Sequence, residues 1–134
     1  MKVLILKKRK DFLRAAKGVK SVFPSLILQA APSLCTQSKK VFEDACFLGY
    51  TATKKIGKAN VRNKVKRRLR AAAALIFPNH ALPKIDYVLI GRFNTADVPF
   101  DVLTAHMSQA LTDANYQLAN KEKSKNEKIY DIAD

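Results

Sequence analysis

Seventeen consecutive residues, Lys54 to Arg70, carry nine of the chain's 25 lysines and arginines and no aspartate or glutamate. The charges are ordered. From Ala59 onward, Val61, Val65, Leu69, Ala72 and Ile76 recur at spacings of three and four, the repeat of one face of an α-helix. In helical projection these five fall within a sector of about 80°. Arg62, Asn63, Lys66, Arg67 and Arg70 lie away from that sector, while Lys64 and Arg68 flank it. The pattern predicts a helix with one side in a core and a dense cationic side in water. A stable surface helix usually sets glutamate against lysine four residues apart, yet no acid occurs between Asp44 and Asp86. Like charges therefore face one another at Arg62/Lys66, Lys64/Arg68, Lys66/Arg70 and Arg67/Arg70. That repulsion makes sense if phosphates occupy the space between the cations, and Asn63 adds a donor and an acceptor suited to phosphate or a 2′-hydroxyl.

Length and charge limit the surroundings of this helix. A chain of 134 residues, 48% hydrophobic, has room for one domain with a real core and not for two. At a net charge of +14 it repels itself unless a partner neutralises it, and nucleic acid or an anionic membrane is the usual partner. No apolar run is long enough to span a bilayer. The start, MKVLILKKRK, sets its basic residues on the wrong side of a short apolar stretch for a signal peptide. Cys35 and Cys46 lie outside any CxxC or Cys/His spacing and read as free, reduced thiols, so the expected setting is the cytoplasm.

Around the basic helix the predicted order is α-β-β-α-β-α, with room for a further short strand near either end. Lys7 to Lys17 reads as a helix stopped by Gly18, and Leu26 to Ala31 as a strand closed by Pro32. Pro32 to Asp44 reads as a hairpin loop, and Ala45 to Thr53 as a strand rich in aromatic and β-branched residues. Gly57 precedes the basic helix, Asn60 is its expected N-cap, and Pro78-Asn79 should end it just after Ile76. Asp86 to Arg92 is a third strand. Asp97 caps a last helix with Pro99 in its first turn and a stripe of Phe100, Leu103, Met107, Ala110, Leu111 and Ala114. Residues 1–118 then form one domain, and residues 119–134 a polar, flexible tail. The fold class expected is α+β: a small sandwich of one mainly antiparallel sheet with helices packed on it.

Protein-borne catalysis finds no support in the residues. His80 is expected in a loop beside Pro78, and His106 on the last helix, near neither cysteine in sequence. Asp11, Glu43, Asp44 and Asp86 stand at element edges, where caps and turns explain them. With no GxxxxGK[ST] and no GxGxxG, nucleotide binding is not expected, and neither is zinc. Phe12 beside Lys10 and Arg14 has two readings: a platform for stacking bases, or an anchor packing the first helix onto the sheet. Tyr50, Phe47 and Tyr87 share that ambiguity. On the second strand Cys46, Leu48, Tyr50 and Ala52 form the more apolar face, which leaves Phe47 toward the accessible one.

The run Lys54-Lys55-Ile56-Gly57-Lys58-Ala59, followed by Arg62-Asn63-Lys64-Val65-Lys66-Arg67-Arg68-Leu69-Arg70, resembles the signature of the bacterial ribonuclease P protein subunit. Asp11-Phe12, Gly18, and Asp86-Tyr87-Val88-Leu89-Ile90 with Arg92 fit the same family in order, over roughly residues 4 to 115. The resemblance implies a protein that partners a large catalytic RNA, which holds the magnesium ions, in removing the 5′ leader of precursor tRNA. It implies a left-handed βαβ crossover through the basic helix. It implies RNA contacts by Lys54, Lys55, Lys58, Arg62, Asn63, Lys64, Lys66, Arg67, Arg68 and Arg70. It also implies a leader site between the first helix and the sheet, with Phe12, Lys10, Arg14 and Phe47. No catalytic residue, no metal ligand and no bound cofactor is expected on the protein itself. Three departures from the family pattern stand out. Lys64 replaces the usual second arginine of the Arg-Asn-Arg motif and lacks its planar fork. Ala16 and Gln29 stand where members often carry aromatics, so stacking there would fall to Phe12, Phe23 or Phe47. A basic ribosomal or other structured-RNA-binding protein is the alternative, and a stand-alone nuclease the third.

Overall fold

The computed structural model describes residues 1–34 and 43–133, with side chains as far as Lys121. The loop expected between Pro32 and Asp44, and Cys35 within it, fall largely outside the described residues. Among these, one five-stranded sheet carries three α-helices. In chain order the elements are β1 (Lys2–Ile5), α1 (Arg9–Ala16), β2 (Val19–Phe23), β3 (Leu26–Pro32) and β4 (Ala45–Thr51). A single 3₁₀ turn (Lys54–Ile56) leads into α2 (Ala59–His80), and β5 (Ile85–Gly91) and α3 (Phe100–Ala133) follow. The expected order therefore lacked β2, and β1 takes the place left for a short strand near one end. Both are short edge strands, and four or five residues leave little periodicity to detect.

The sheet order is β1-β4-β5-β3-β2. β3 pairs antiparallel with both β2 and β5, whereas β4 runs parallel to both β1 and β5. The sheet is mixed, which corrects the expectation of a mainly antiparallel one. Parallel strands must be joined by a crossover, and α2 is the crossover between β4 and β5.

Its hand follows from backbone chirality. Leu48 faces the core under α2, and its carbonyl accepts the N–H of Leu6 on the β1 side. For an L-residue seen from its side-chain side, with the strand running upward, the N–H and C=O point right. Seen from α2, β1 thus lies to the right of β4 and β5 to its left, and the β4–α2–β5 connection is left-handed, against the general rule.

Helices cover both faces. On one, Val65, Leu69, Ala72 and Phe77 of α2 and Leu103, Met107 and Leu111 of α3 pack on Leu28, Cys46, Leu48, Tyr87 and Leu89. Fully burying Val65 and Leu69 contributes roughly 1.5–3 kcal/mol each. On the other, α1 lays Ala15 and Phe12 over Leu6, Phe47 and Val88. This second layer corrects the placing of Phe47, which is 5% exposed. A strand covered on both sides is apolar throughout, so alternation along β4 carried no information about which face was open.

Helix boundaries also differ. α2 begins at Ala59 after Lys58, which makes no side-chain cap, so Asn60 is not the N-cap. Pro78 lies inside α2, which continues to His80. The carbonyl its ring leaves unpaired belongs to exposed Ala74, where water can take it, and Phe77 is held by full burial edge-on to Tyr87 at 5.3 Å. α3 starts at Phe100, with Leu103 donating to the carbonyl of Pro99, and its backbone runs on through the polar segment to Ala133.

The Tyr87 hydroxyl accepts the Leu82 N–H at 2.9 Å and donates to Asn115 Oδ1 at 2.7 Å, and Asn115 Nδ2 reaches the His80 carbonyl. Burial pushes the ionisation of this hydroxyl well above the ordinary tyrosine range. Tyr87 is thus a core tie between α2, β5 and α3. Burial likewise pushes the Cys46 thiol up to about 11.

Candidate RNA interface

The outer side of α2 keeps the arrangement its sequence predicts. Asn63, Lys64, Arg67 and Arg70 are exposed, and Arg62 and Lys66 are half-buried at the margins. Lys54, Lys55 and Lys58 extend the exposed cations along the 3₁₀ turn that leads into the helix. Arg70 also lies over the Tyr50 ring, 5.4 Å from its centroid, which fixes the guanidinium near the end of β4.

Arg68 has a structural role that its sequence position did not announce. It donates to the carbonyl of Thr95 at 2.7 Å and to that of Val98, tying the loop after β5 to the helix. Arg68 lies about 20° outside the apolar stripe in helical projection, but so does Arg62 at the other edge, so the angle alone did not single out Arg68 for this inward turn.

A second surface opens between α1 and β1. It is a groove of about 680 Å³ lined by Val3, Leu4, Ile5, Leu6, Lys7, Lys8, Lys10, Asp11, Arg14, Leu34, Phe47 and Asp86. Three of the four residues assigned there from sequence, Lys10, Arg14 and Phe47, do line it. The fourth, Phe12, packs inward on the small core, and Gly49 gives its ring room: a Cβ at Gly49 would stand 2.6 Å from Phe12 Cε1. Phe12 is half-buried, so the anchoring reading describes its place here. Lys7, Lys8, Ile5 and Leu34 belong to the groove and escaped notice, because no local pattern says that β1 forms its wall.

The groove floor is charged but neutralised. Arg14 bridges Asp11 at 2.9 Å and also pairs with Asp86, whose side chain is 2% exposed. Asp86 is therefore a buried strand residue and not the turn acid its sequence position suggested. Desolvation pushes its carboxyl above the ordinary range, while a Ser33 hydrogen bond and the Arg14 charge pull it back. With Arg14 so engaged, the free positive charge at the groove comes from Lys7, Lys8 and Lys10 on its rim. Among the described residues, no three His, Cys, Asp or Glu side chains gather as a metal site, and no helix is long and apolar enough to cross a membrane.

A small basic α+β domain with an acid-free cationic helix face and a lysine-rimmed apolar groove has the make-up of a nucleic-acid-binding protein. The family model for ribonuclease P matches residues 1–115. The ribonuclease P protein component of Paramagnetospirillum magneticum is 46% identical over 107 residues, covering 79% of this chain and 78% of that protein. That of Ruegeria pomeroyi is 40% identical over 110 residues, covering 81% and 84%. Among solved structures, the Staphylococcus aureus RNase P protein superposes with a TM-score of 0.64 at 26% identity, covering 82% of this chain and 94% of that one. The Thermotoga maritima RNase P protein shares the fold at a TM-score of 0.64 and 24% identity, over 79% and 93%. The chain belongs to the ribonuclease P protein family and is a protein subunit of that ribonucleoprotein.

Proposed function

We propose that the exposed face of α2 binds the catalytic RNA of ribonuclease P, and that the groove between α1 and β1 receives the single-stranded 5′ leader of precursor tRNA. The RNA, in this reading, supplies both the catalytic magnesium ions and the reaction, in the cytoplasm. The protein holds the active RNA fold and favours precursor over product. The observation that carries the reading is the acid-free α2 face, on which Asn63, Arg67 and Arg70 are exposed and Arg62 and Lys66 stand half-buried at the margins, in a chain of this family. The groove supports it through shape and charge: lysines on the rim suit phosphates, and the apolar walls of Leu4, Leu6 and Phe47 suit bases.

A precursor-tRNA cleavage assay with a cognate RNA subunit at low magnesium tests this. Added protein should raise cleavage, and protein without RNA should do nothing. Arg62→Ala and Arg67→Ala should each weaken RNA binding and reduce the log–log salt slope by about 0.7–0.9. RNA binding with no effect on cleavage would favour the structured-RNA-binding alternative, and slopes equal to wild type would mean that these arginines are merely solvated.

A further inference from the structure

Phe93 is 76% exposed, the most exposed large apolar side chain among the described residues. It is not on a loose loop. It stands at the tip of a turn whose ends are closed by the Thr95 N–H donating to the Arg92 carbonyl at 3.1 Å and by the Arg92 N–H donating to Thr95 Oγ1 at 2.7 Å. The Thr95 hydroxyl in turn donates to the Ser25 carbonyl at 2.7 Å, and the Arg92 guanidinium donates to the Phe23 carbonyl at 3.1 Å. Arg68 of α2 grips the same loop from the other side through Thr95 and Val98. The preceding residue, Gly91, lies directly under Val65 of α2, where a Cβ would collide with the valine, and close to Ile56 of the 3₁₀ turn.

The turn thus rises from beneath the N-terminal half of the cationic helix and is bolted to it by one of that helix's own arginines. At that exposure the ring belongs to neither hydrophobic core. The loop carries one exposed acid, Asp97, but the helix face next to it carries none, and a rigidly held ring on a turn tied down by Arg68 and Arg92 beside that face has the composition of a base-stacking platform. Little conformational entropy remains to be lost on binding, because the turn is already ordered. A protein partner would have to accept the surrounding positive charge, whereas an unpaired nucleobase brings its own phosphates, which exposed Lys64 and Arg67, on the same flank of α2 as Arg68, can take.

We infer that Phe93 stacks on an unpaired base of the RNA held by α2, and so extends the proposed RNA interface from the helix to the loop after β5. The inference rests on the reading of α2 as the RNA-binding face. Binding of the full chain to the RNA subunit, measured across salt concentrations, tests it. Phe93→Ala and Phe93→Leu should weaken binding by about 5- to 100-fold with an unchanged log–log salt slope, since stacking releases no counterions. Phe93→Trp should bind like wild type, with its indole fluorescence quenched by the RNA. Binding of Phe93→Ala or Phe93→Leu equal to wild type would overturn the inference, as would a loss confined to a variant whose melting temperature also falls. A loss seen only with precursor tRNA would move the ring to the leader and equally overturn it. Failure of the wild-type chain to bind the RNA subunit is a different outcome, and refutes the reading of α2 itself.

Discussion

Replacing Arg14 with alanine leaves the Asp86 carboxylate in the sheet interior without its cation. Asp86 is 1% exposed, and Arg14 is its paired guanidinium, also bridged to half-buried Asp11. Removing one partner of a fully buried pair costs about 3–5 kcal/mol. Here the arginine side chain is 26% exposed and the hydrogen bond from Ser33 remains, so the expected loss is about 2–3 kcal/mol at pH 7. For a chain of this length that lowers the thermal midpoint by roughly 6–12 °C. The loss should depend on pH, with a definite sign. Burial already holds the folded Asp86 pKa above its unfolded value, and losing Arg14 raises it further. The penalty is then fully present above the variant's folded pKa and shrinks as pH falls through that value, because a protonated carboxyl needs no cation. Thermal or urea unfolding of wild type and Arg14→Ala at pH 7 and pH 4.5 measures this. Asp86→Asn in the Arg14→Ala background should restore part of the stability. An equal loss at both pH values, or no recovery in the double variant, would show that Arg14 acts by packing and not by charge.

Arg68 and Gly49 carry the other two expected outcomes. Arg68→Ala should destabilise the fold by about 1–2 kcal/mol, because two charge-assisted hydrogen bonds to the Thr95 and Val98 carbonyls are lost, while Arg67→Ala changes stability by less than about 0.5 kcal/mol. Chemical denaturation of the pair decides it, and equal values would remove Arg68 from its structural role. Gly49→Ala should cost about 1–2 kcal/mol by driving Phe12 off the sheet, and much less in a Phe12→Ala background. A double-mutant cycle that proves additive would show that the Phe12 ring does not rest on Gly49.

What the sequence determined alone is what depends on neighbours within a few residues. Val61, Val65, Leu69 and Ala72 repeat with the helical period, so α2 and its two sides were legible, as were the cores of β3, β4 and β5 from their apolar, β-branched runs. What only the tertiary structure decided depends on partners far away in the chain. Arg14 and Asp86 are 72 residues apart, and neither position signals the other. β1 joins the sheet because Lys2 to Ile5 find β4 in parallel register, a pairing that a four-residue apolar run does not specify. Phe47 is buried because α1 returns over a face that alternation along β4 left open, and Phe12 fits because Gly49 lies opposite it. Phe93 shows the same limit in reverse. An aromatic after an apolar strand reads as core, and only the closed turn from Arg92 to Thr95 holds it out in water beside the basic helix. Local periodicity sets which side of an element is apolar, but long-range pairing decides what that side meets.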